Sequence, residues 1–377
     1  MRKIEEQRQQ SQGSVTETVL VLQGGGSLGA YECGVYKTLA KRGIKFDIIA
    51  GTSIGAINAA IIAGSKNDAE PATQLEDFWL SVAEKITPSV LPDSWRCIVS
   101  SMHAAMYGNL KTFTPLWFMM PNPNENFLSY YRSPYLYSIA PLKDTILKYI
   151  DFAKLNNPTN MPRLIITSTD IQKSASVTFD SKFMSVDRDH VIACAGFPFY
   201  GIAWTEKDGR YLWDGSLQSN TPLREVIDAS PKYDKDVYIV NLFPRIQKEL
   251  PENMFDSWHR ARDIMYTDKI YNNIRMSKVI SRYLTLLRQM HDIISNVQLD
   301  EKSKESFREM EKEYHKLTDN RGAIIKKITR IERTERVHFL FEDADFSIST
   351  IKKLIKQGEM DAENALTTKQ VSSNHII

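Results

Sequence analysis

Two short apolar runs, Thr18-Val-Leu-Val-Leu-Gln23 and Phe46-Asp-Ile-Ile-Ala50, each stop at a cluster of glycines and give way to an apolar-periodic segment, from Ala30 and from Ala56 to Ala63. Short apolar runs bounded by glycine read as buried strands and spacings of three and four as helices, so both stretches spell strand, turn, helix. Downstream, Pro71 to Glu84 predicts a helix with Phe78, Trp79 and Val82 facing inward, and Pro141 to Ile150 a short one. Arg163 to Asp170 reads as a buried strand, Ser174 to Asp180 as its partner, Asp187 to Ala195 as a small-residue helix and Asp236 to Phe243 as a further core strand. Such alternation predicts an α/β fold: a mostly parallel central sheet sandwiched by helices in three layers.

Two regions depart from that pattern. Pro88 to Tyr137 mixes Trp95, Trp117, Phe118, Met119, Met120, Phe127, Tyr130, Tyr131, Tyr135 and Tyr137 with prolines and asparagines, and predicts an irregular insertion without long regular elements. Its aromatics suit either a lid over an apolar ligand or a membrane interface, or packing on the core or a subunit contact. Beyond residue 250, Met276, Ile280, Tyr283, Leu287, Met290, Ile294 and Val297 are spaced four and three apart, and Phe307, Met310, Tyr314 and Leu317 repeat the spacing after a break. This predicts a C-terminal helical hairpin, which offers a route to an oligomer. Ile324 to Phe341 reads as two strands of an extra hairpin, and Ser347 as the cap of a final helix through Leu366. The expected organisation is a loose tail over 1–17, a catalytic α/β domain over 18–250 containing the insertion 88–137, an extension over 251–370 packed on it, and a polar tail over 371–377.

Composition narrows the class only modestly. With 377 residues, 42% hydrophobic, 25% charged and a net charge of +2, the chain reads as an ordinary globular protein with nothing that points to nucleic acid. Cys33, Cys97 and Cys194 are far apart and lack metal-ligand spacing, which suggests buried thiols in a reducing compartment. No leader pattern and no apolar stretch near 18 residues is visible, so a cytoplasmic protein with at most peripheral membrane contact is expected. From Phe255 to Ser295 seven Lys or Arg stand against four Asp or Glu, a bias suited to an anionic surface or simply to a solvated helix face.

The turns carry the candidate chemistry. Gly51-x-Ser53-x-Gly55 fits a nucleophile elbow, in which a serine sits on a sharp strand-to-helix turn at a helix N-terminus. Gly24-Gly25-Gly26 offers backbone N–H groups that can converge on an oxyanion, with Ile54 N–H beside them. Gly24-x-Gly26-x-x-Gly29 after a strand also spells a dinucleotide fingerprint, but Asp47 stands at the start of its strand rather than at the end where a ribose would be held. A serine nucleophile needs a base. Asp214, in Tyr211-Leu-Trp-Asp214-Gly215-Ser216, is the candidate, although an Asp-Gly pair is most often a plain turn. His259, His291 and His315 fall in a charged helical region, His338 in an apolar strand and His375 in the tail, so none has a catalytic setting.

Gly24-Gly-Gly-x-x-Gly29, Gly51-Thr-Ser53-Ile-Gly55 and Trp213-Asp214-Gly215 followed by Asn220-x-Pro222, in that order, resemble the patatin-like phospholipases, in particular a bacterial and archaeal type with a long C-terminal extension. The resemblance covers about Thr18 to Pro244 and implies a serine and aspartate dyad without histidine, placed on Ser53 and Asp214, acting on lipid esters with no metal or cofactor. Leu28 stands where many members carry a cation in the glycine loop, which leaves phospholipid open as the acyl donor. Asp-Gly-Ser216 replaces the usual Asp-Gly-Gly or Asp-Gly-Ala. A non-catalytic lipid-binding or scaffold protein with the same fold and a dinucleotide-dependent oxidoreductase are the contending classes.

Overall fold

A computed structural model describes residues 15–67, 70–87, 92–118, 133–157, 159, 162–247, 250–297, 300–319, 323–334 and 342–371. In chain order the elements are β1 (Thr16–Leu22), α1 (Gly29–Lys41), β2 (Ile48–Thr52), α2 (Ile54–Ala63), α3 (Pro71–Val82), α4 (Asp93–Tyr107), β3 (Thr114–Pro115), β4 (Tyr137–Ser138), α5 (Ala140–Ile146), α6 (Phe152–Leu155) and β5 (Arg163–Asp170). They continue with β6 (Ala175–Asp180), α7 (Arg188–Ala193), β7 (Thr205–Lys207), β8 (Arg210–Asp214), α8 (Ser216–Ser219), α9 (Leu223–Asp228), β9 (Asp234–Asn241), α10 (Met254–Ser295), α11 (Glu301–Asp319), β10 (Ile325–Glu332) and α12 (Ile348–Val371). Eight strands form the main sheet in the order β10-β9-β1-β2-β5-β8-β7, with β6 also on β5. Pairing is parallel from β10 to β5 and antiparallel where β5 meets β6 and β8.

Alternation along β1 shows why the sheet is covered on both faces. Leu20 and Leu22 join one cluster with Leu39 of α1 and Ile57 and Ile61 of α2, while Val19 and Val21 join a second with Leu223 and Val226 of α9 and Ile274 of α10. Side chains two apart share a face, so a strand apolar throughout belongs between two layers. Each such fully buried Leu or Ile contributes roughly 1.5–3 kcal/mol. Leu22 lies opposite Gly51 in the parallel register of β1 and β2, which brings the turns after both strands out side by side at the C-terminal edge.

The mostly parallel sheet, α3 with Phe78, Trp79 and Val82 buried, and the C-terminal hairpin of α10 and α11 follow the sequence reading. Two expectations are corrected. The insertion contains a regular element, the 15-residue α4. The prolines lie ahead of it, with Pro92 as its N-cap and Gly108 ending it, so Asp93–Tyr107 is free of breakers. Ile325–Glu332 forms no separate hairpin; it adds to the main sheet, parallel to β9. Its partner over 335–341, including His338, lies outside the described residues, as do 119–132 of the insertion with Met119, Met120, Phe127, Tyr130 and Tyr131, both tails up to residue 14 and from 372, and His375. Ser347 directly precedes α12, whose first turn is tied down by Asp345: Ser347 N and Thr350 Oγ1 donate to its carboxylate at 2.9 and 2.6 Å. α12 crosses α1 where neither helix has a side chain. A Cβ on Gly34 would lie 1.8 Å from the Ile355 carbonyl oxygen, and one on Gly358 2.1 Å from that of Tyr31. No described helix is long and apolar enough to cross a membrane.

Candidate active site

Ser53 occupies the turn between β2 and α2 with φ 55° and ψ −127°, a conformation that costs a non-glycine residue about 1–3 kcal/mol. The flanking residues explain how the turn holds. A Cβ on Gly51 would fall 2.1 Å from the Gly55 carbonyl oxygen, and one on Gly55 2.6 Å from that of Leu22. Both elbow positions therefore exclude any side chain. Ile54 begins α2, so its N–H is one of those an α-helix leaves without an internal acceptor, and the Ser53 side chain does not cap it.

The glycine loop passes beside this turn. A Cβ on Gly24 would meet Ser53 Cβ at 2.9 Å, and one on Gly26, at φ +56°, would meet the Asp343 carbonyl oxygen at 2.2 Å. Gly24 N–H donates to Asn220 O at 3.2 Å and Asn220 Nδ2 donates back to Gly24 O at 3.3 Å. The Gly24 donor is thus occupied, and the N–H groups of Gly25 and Gly26 take no hydrogen bond among the described residues. Glu32 braces the loop from within. Its carboxylate, fully buried, accepts from Gln23 N at 2.7 Å and from Asn58 Nδ2 at 2.8 Å. Asn58 also donates to Gly29 O at 3.0 Å and accepts from Trp79 Nε1 at 3.1 Å. One carboxyl thereby joins the strand end before the glycine loop to the helix behind the serine. Burial pushes its pKa up to about 8, against the two hydrogen bonds that favour its charge.

Asp214, at the end of β8, is fully buried behind the elbow. Its Oδ1 accepts from Ser216 N at 2.8 Å and Ser216 Oγ at 2.7 Å, while Oδ2 is buried without a hydrogen-bond partner among the described residues. Burial pushes the carboxyl up to about 6, and the neighbouring Ser53 hydroxyl and the two Ser216 bonds act in the opposite sense. Ser53 is therefore close enough to influence Asp214 without forming a bond of standard geometry to Oδ2, a looseness usual for catalytic pairs without substrate. Gly215 lets the chain turn here, since a Cβ on it would meet the Thr167 carbonyl oxygen at 2.4 Å.

Ser53, Ile54 and all three glycines of the loop line one cavity of about 370 Å³, with Ser216 and Asn220 beside them. Its walls are mainly apolar: Ile57, Phe78 and Trp79 from the core, Phe113, Leu136 and Tyr137 from the insertion. The remaining wall was not legible in the sequence. Tyr266 of α10 and Asp343, Ala344 and Phe346, ahead of α12, all line the cavity from the C-terminal extension. A buried charge cluster fastens that wall. Arg262 pairs with Asp263, Glu342 and Asp343 at 3.1–3.3 Å, Arg333 reaches Glu342 at 3.1 Å, and Tyr200 OH donates to Asp343 at 2.6 Å. Ser27 of the glycine loop donates to Glu342 O at 3.0 Å. Burial, then the Asp214 charge, push the Tyr266 hydroxyl well above its ordinary range, so it stays protonated. Glu32 could have been noticed as a lone acid on an apolar helix just after the loop; Tyr266 and Asp343 carry no such signal.

Other candidates lie elsewhere. Asp47 accepts from Thr18 N at 2.7 Å at the start of its strand, far along the sheet from the glycine loop. His259 is buried against Glu342 at 3.2 Å in the charge cluster and does not line the cavity. Cys33, Cys97 and Cys194 are buried and free, and no group of metal-ligating side chains occurs among the described residues.

Comparison with known proteins bears on this arrangement. A family model described as patatin-like phospholipase matches residues 20–227, and a second, described as patatin phospholipase, matches 264–375. Lysophospholipase nte1 of Aspergillus terreus is 57% identical over 44 residues, 12% of this chain and 3% of that protein. Triacylglycerol lipase SDP1L of Arabidopsis thaliana is 40% identical over 62 residues, 16% of this chain and 8% of that protein. The chain thus matches only a small part of the length of these curated relatives. Among solved structures, VipD from Legionella pneumophila is 11% identical with a TM-score of 0.38, covering 94% of this chain and 67% of that one. The type III effector ExoU is 12% identical with a TM-score of 0.37, covering 95% and 54%. The first family model spans more than half of the 377 residues and takes in Gly24 to Gly26, Ser53 and Asp214 alike, and on that match the chain belongs to the patatin-like phospholipase family.

Proposed function

We propose that this protein hydrolyses carboxylic esters of lipids through an acyl-enzyme on Ser53, with Asp214 as the proton acceptor. The observation that carries the reading is the strained Ser53 facing an apolar cavity, backed by a buried carboxylate with one oxygen tied and the other open. Ser53 Oγ attacks the ester carbonyl carbon while its proton passes to Asp214 Oδ2. The oxyanion is held by N–H groups of Gly25, Gly26 and Ile54, fixed donors that need no rearrangement as charge develops. Asp214 returns the proton to the departing alcohol oxygen, and water, deprotonated by the same carboxylate, releases the acid and restores Ser53. A base poised near 6 is mostly ionised at neutral pH yet still basic enough to take a proton. The apolar walls suit an acyl chain; phospholipid, lysophospholipid and acylglycerol all fit that description.

The test is covalent labelling with a fluorescent alkyl phosphonate, followed by hydrolysis of a short nitrophenyl ester. Wild type is expected to be labelled and active and Ser53→Ala to show neither, with unchanged melting temperature. An active Ser53→Ala protein would exclude the mechanism, and an inert, unlabelled wild type would favour a lipid-binding protein that keeps the fold.

A further inference from the structure

α10 runs for 42 residues, about 63 Å, and its second half bears an apolar stripe that no described residue covers. Met276, Ile280, Tyr283, Leu286, Met290 and Ile293 are 47–66% exposed. At 3.6 residues per turn they fall within about 140° of the helix circumference, while Ile274, Ser277 and Leu284 on the opposite side are buried. Arg275, Lys278 and Arg282, all exposed, border one edge of the stripe and take part in no ion pair among the described residues.

From this we infer that the outer face of α10 docks on an anionic lipid surface. Charge decides between the occupants. From Lys269 to His291 there are five Lys or Arg and no Asp or Glu. A second copy laid along the stripe would bring these cations together with no carboxylate in the segment to pair them, whereas anionic head groups would neutralise them while the apolar side chains enter the acyl boundary. Tyr283, an aromatic ring with a polar tip, suits the boundary itself. The surface is separate from the Ser53 chemistry, so it can be tested in protein that cannot turn over lipid.

The experiment is flotation of the full chain carrying Ser53→Ala with vesicles of phosphatidylcholine alone or mixed with phosphatidylserine. Binding is expected to the mixed vesicles, weakly to the neutral ones, and to fall as salt is raised. Lys278→Gln with Arg282→Gln is expected to lower partitioning about 30-fold, at the worth of two basic side chains near such a surface. Leu286→Gln with Met290→Gln is expected to weaken binding at every lipid composition. Thermal melting of both variants matching the parent keeps a folding defect from imitating the result. Binding that ignores lipid charge and both double substitutions overturns the inference. So does a concentration-dependent dimer, by analytical ultracentrifugation, that Leu286→Gln with Met290→Gln dissociates while vesicles are ignored.

Discussion

Asp214→Asn separates catalysis from stability in a way that a merely structural carboxylate would not. The side chain keeps its shape but can no longer accept the Ser53 proton, so turnover is expected to fall by about a thousandfold or more. Stability should move in the other direction. Burial raises this carboxyl from 3.8 to about 6, so the folded chain holds the proton more tightly than the unfolded one. Its contribution favours folding at low pH and is lost as pH rises from about 4 through about 6. Above that window the charged, buried group costs about 3 kcal/mol, at 1.36 kcal/mol per pH unit. Asparagine carries no such cost. The variant should therefore be more stable than wild type at pH 7.5, by up to about 3 kcal/mol, and the advantage should vanish near pH 3.5. Urea unfolding of both proteins across that range measures the difference directly. The same ionisation sets the wild-type rate: kcat/KM should climb with pH and level off above about 6, dropping roughly tenfold at pH 5. A variant equally or less stable than wild type at pH 7.5, or an acidic limb centred near 4, would refute the reasoning from burial.

Gly26→Ala must place a Cβ 2.2 Å from the Asp343 carbonyl oxygen at positive φ, and is expected to reduce kcat about a hundredfold with a smaller effect on KM; a change confined to KM would remove Gly26 from the oxyanion donors. Glu32→Leu leaves Gln23 N–H and Asn58 Nδ2 without their acceptor, so chemical unfolding should report a loss on the order of 1–3 kcal/mol for each orphaned donor, and an unchanged midpoint would show that water replaces the carboxylate. Trp117 stacks on Tyr137 at 5.3 Å and donates to Met106 O at 3.1 Å, so Trp117→Ala should lower the melting temperature and slow hydrolysis of soluble and aggregated esters in proportion. Selective loss on aggregates with unaltered melting would mark it instead as a residue that meets the lipid.

The parts of the site that were legible are those encoded in a few consecutive residues. Gly51, Ser53 and Gly55 announce a turn because backbone atoms exclude a Cβ on either side of the serine, and such exclusion leaves a local trace. Asp214 was harder, since Asp-Gly is common in turns, and it stood out through the need of Ser53 for a base and a family likeness. Tyr266, Asp343 and Phe346 were illegible because nothing near them in sequence distinguishes a cavity wall from any other apolar surface; they reach the site by packing across more than 200 residues of chain. α4 was missed for a different reason: aromatic and proline content was averaged over 88–137, which hid a breaker-free stretch between Pro92 and Gly108.

The crossing of α1 and α12 has a consequence for the order of events during synthesis. α1 emerges from the ribosome more than 300 residues ahead of the helix that must seat Gly358 against Tyr31 and Ile355 against Gly34. Segments fold broadly as they appear, from the N-terminus onward. The elbow can thus be made early, while the glycine loop waits for Glu342 and Asp343 to arrive over Ser27 and Gly26. A nascent chain released before that point would carry the nucleophile without the finished pocket. On this topology, an enzyme that attacks lipids comes into being late, with its last helix acting as the latch on its first.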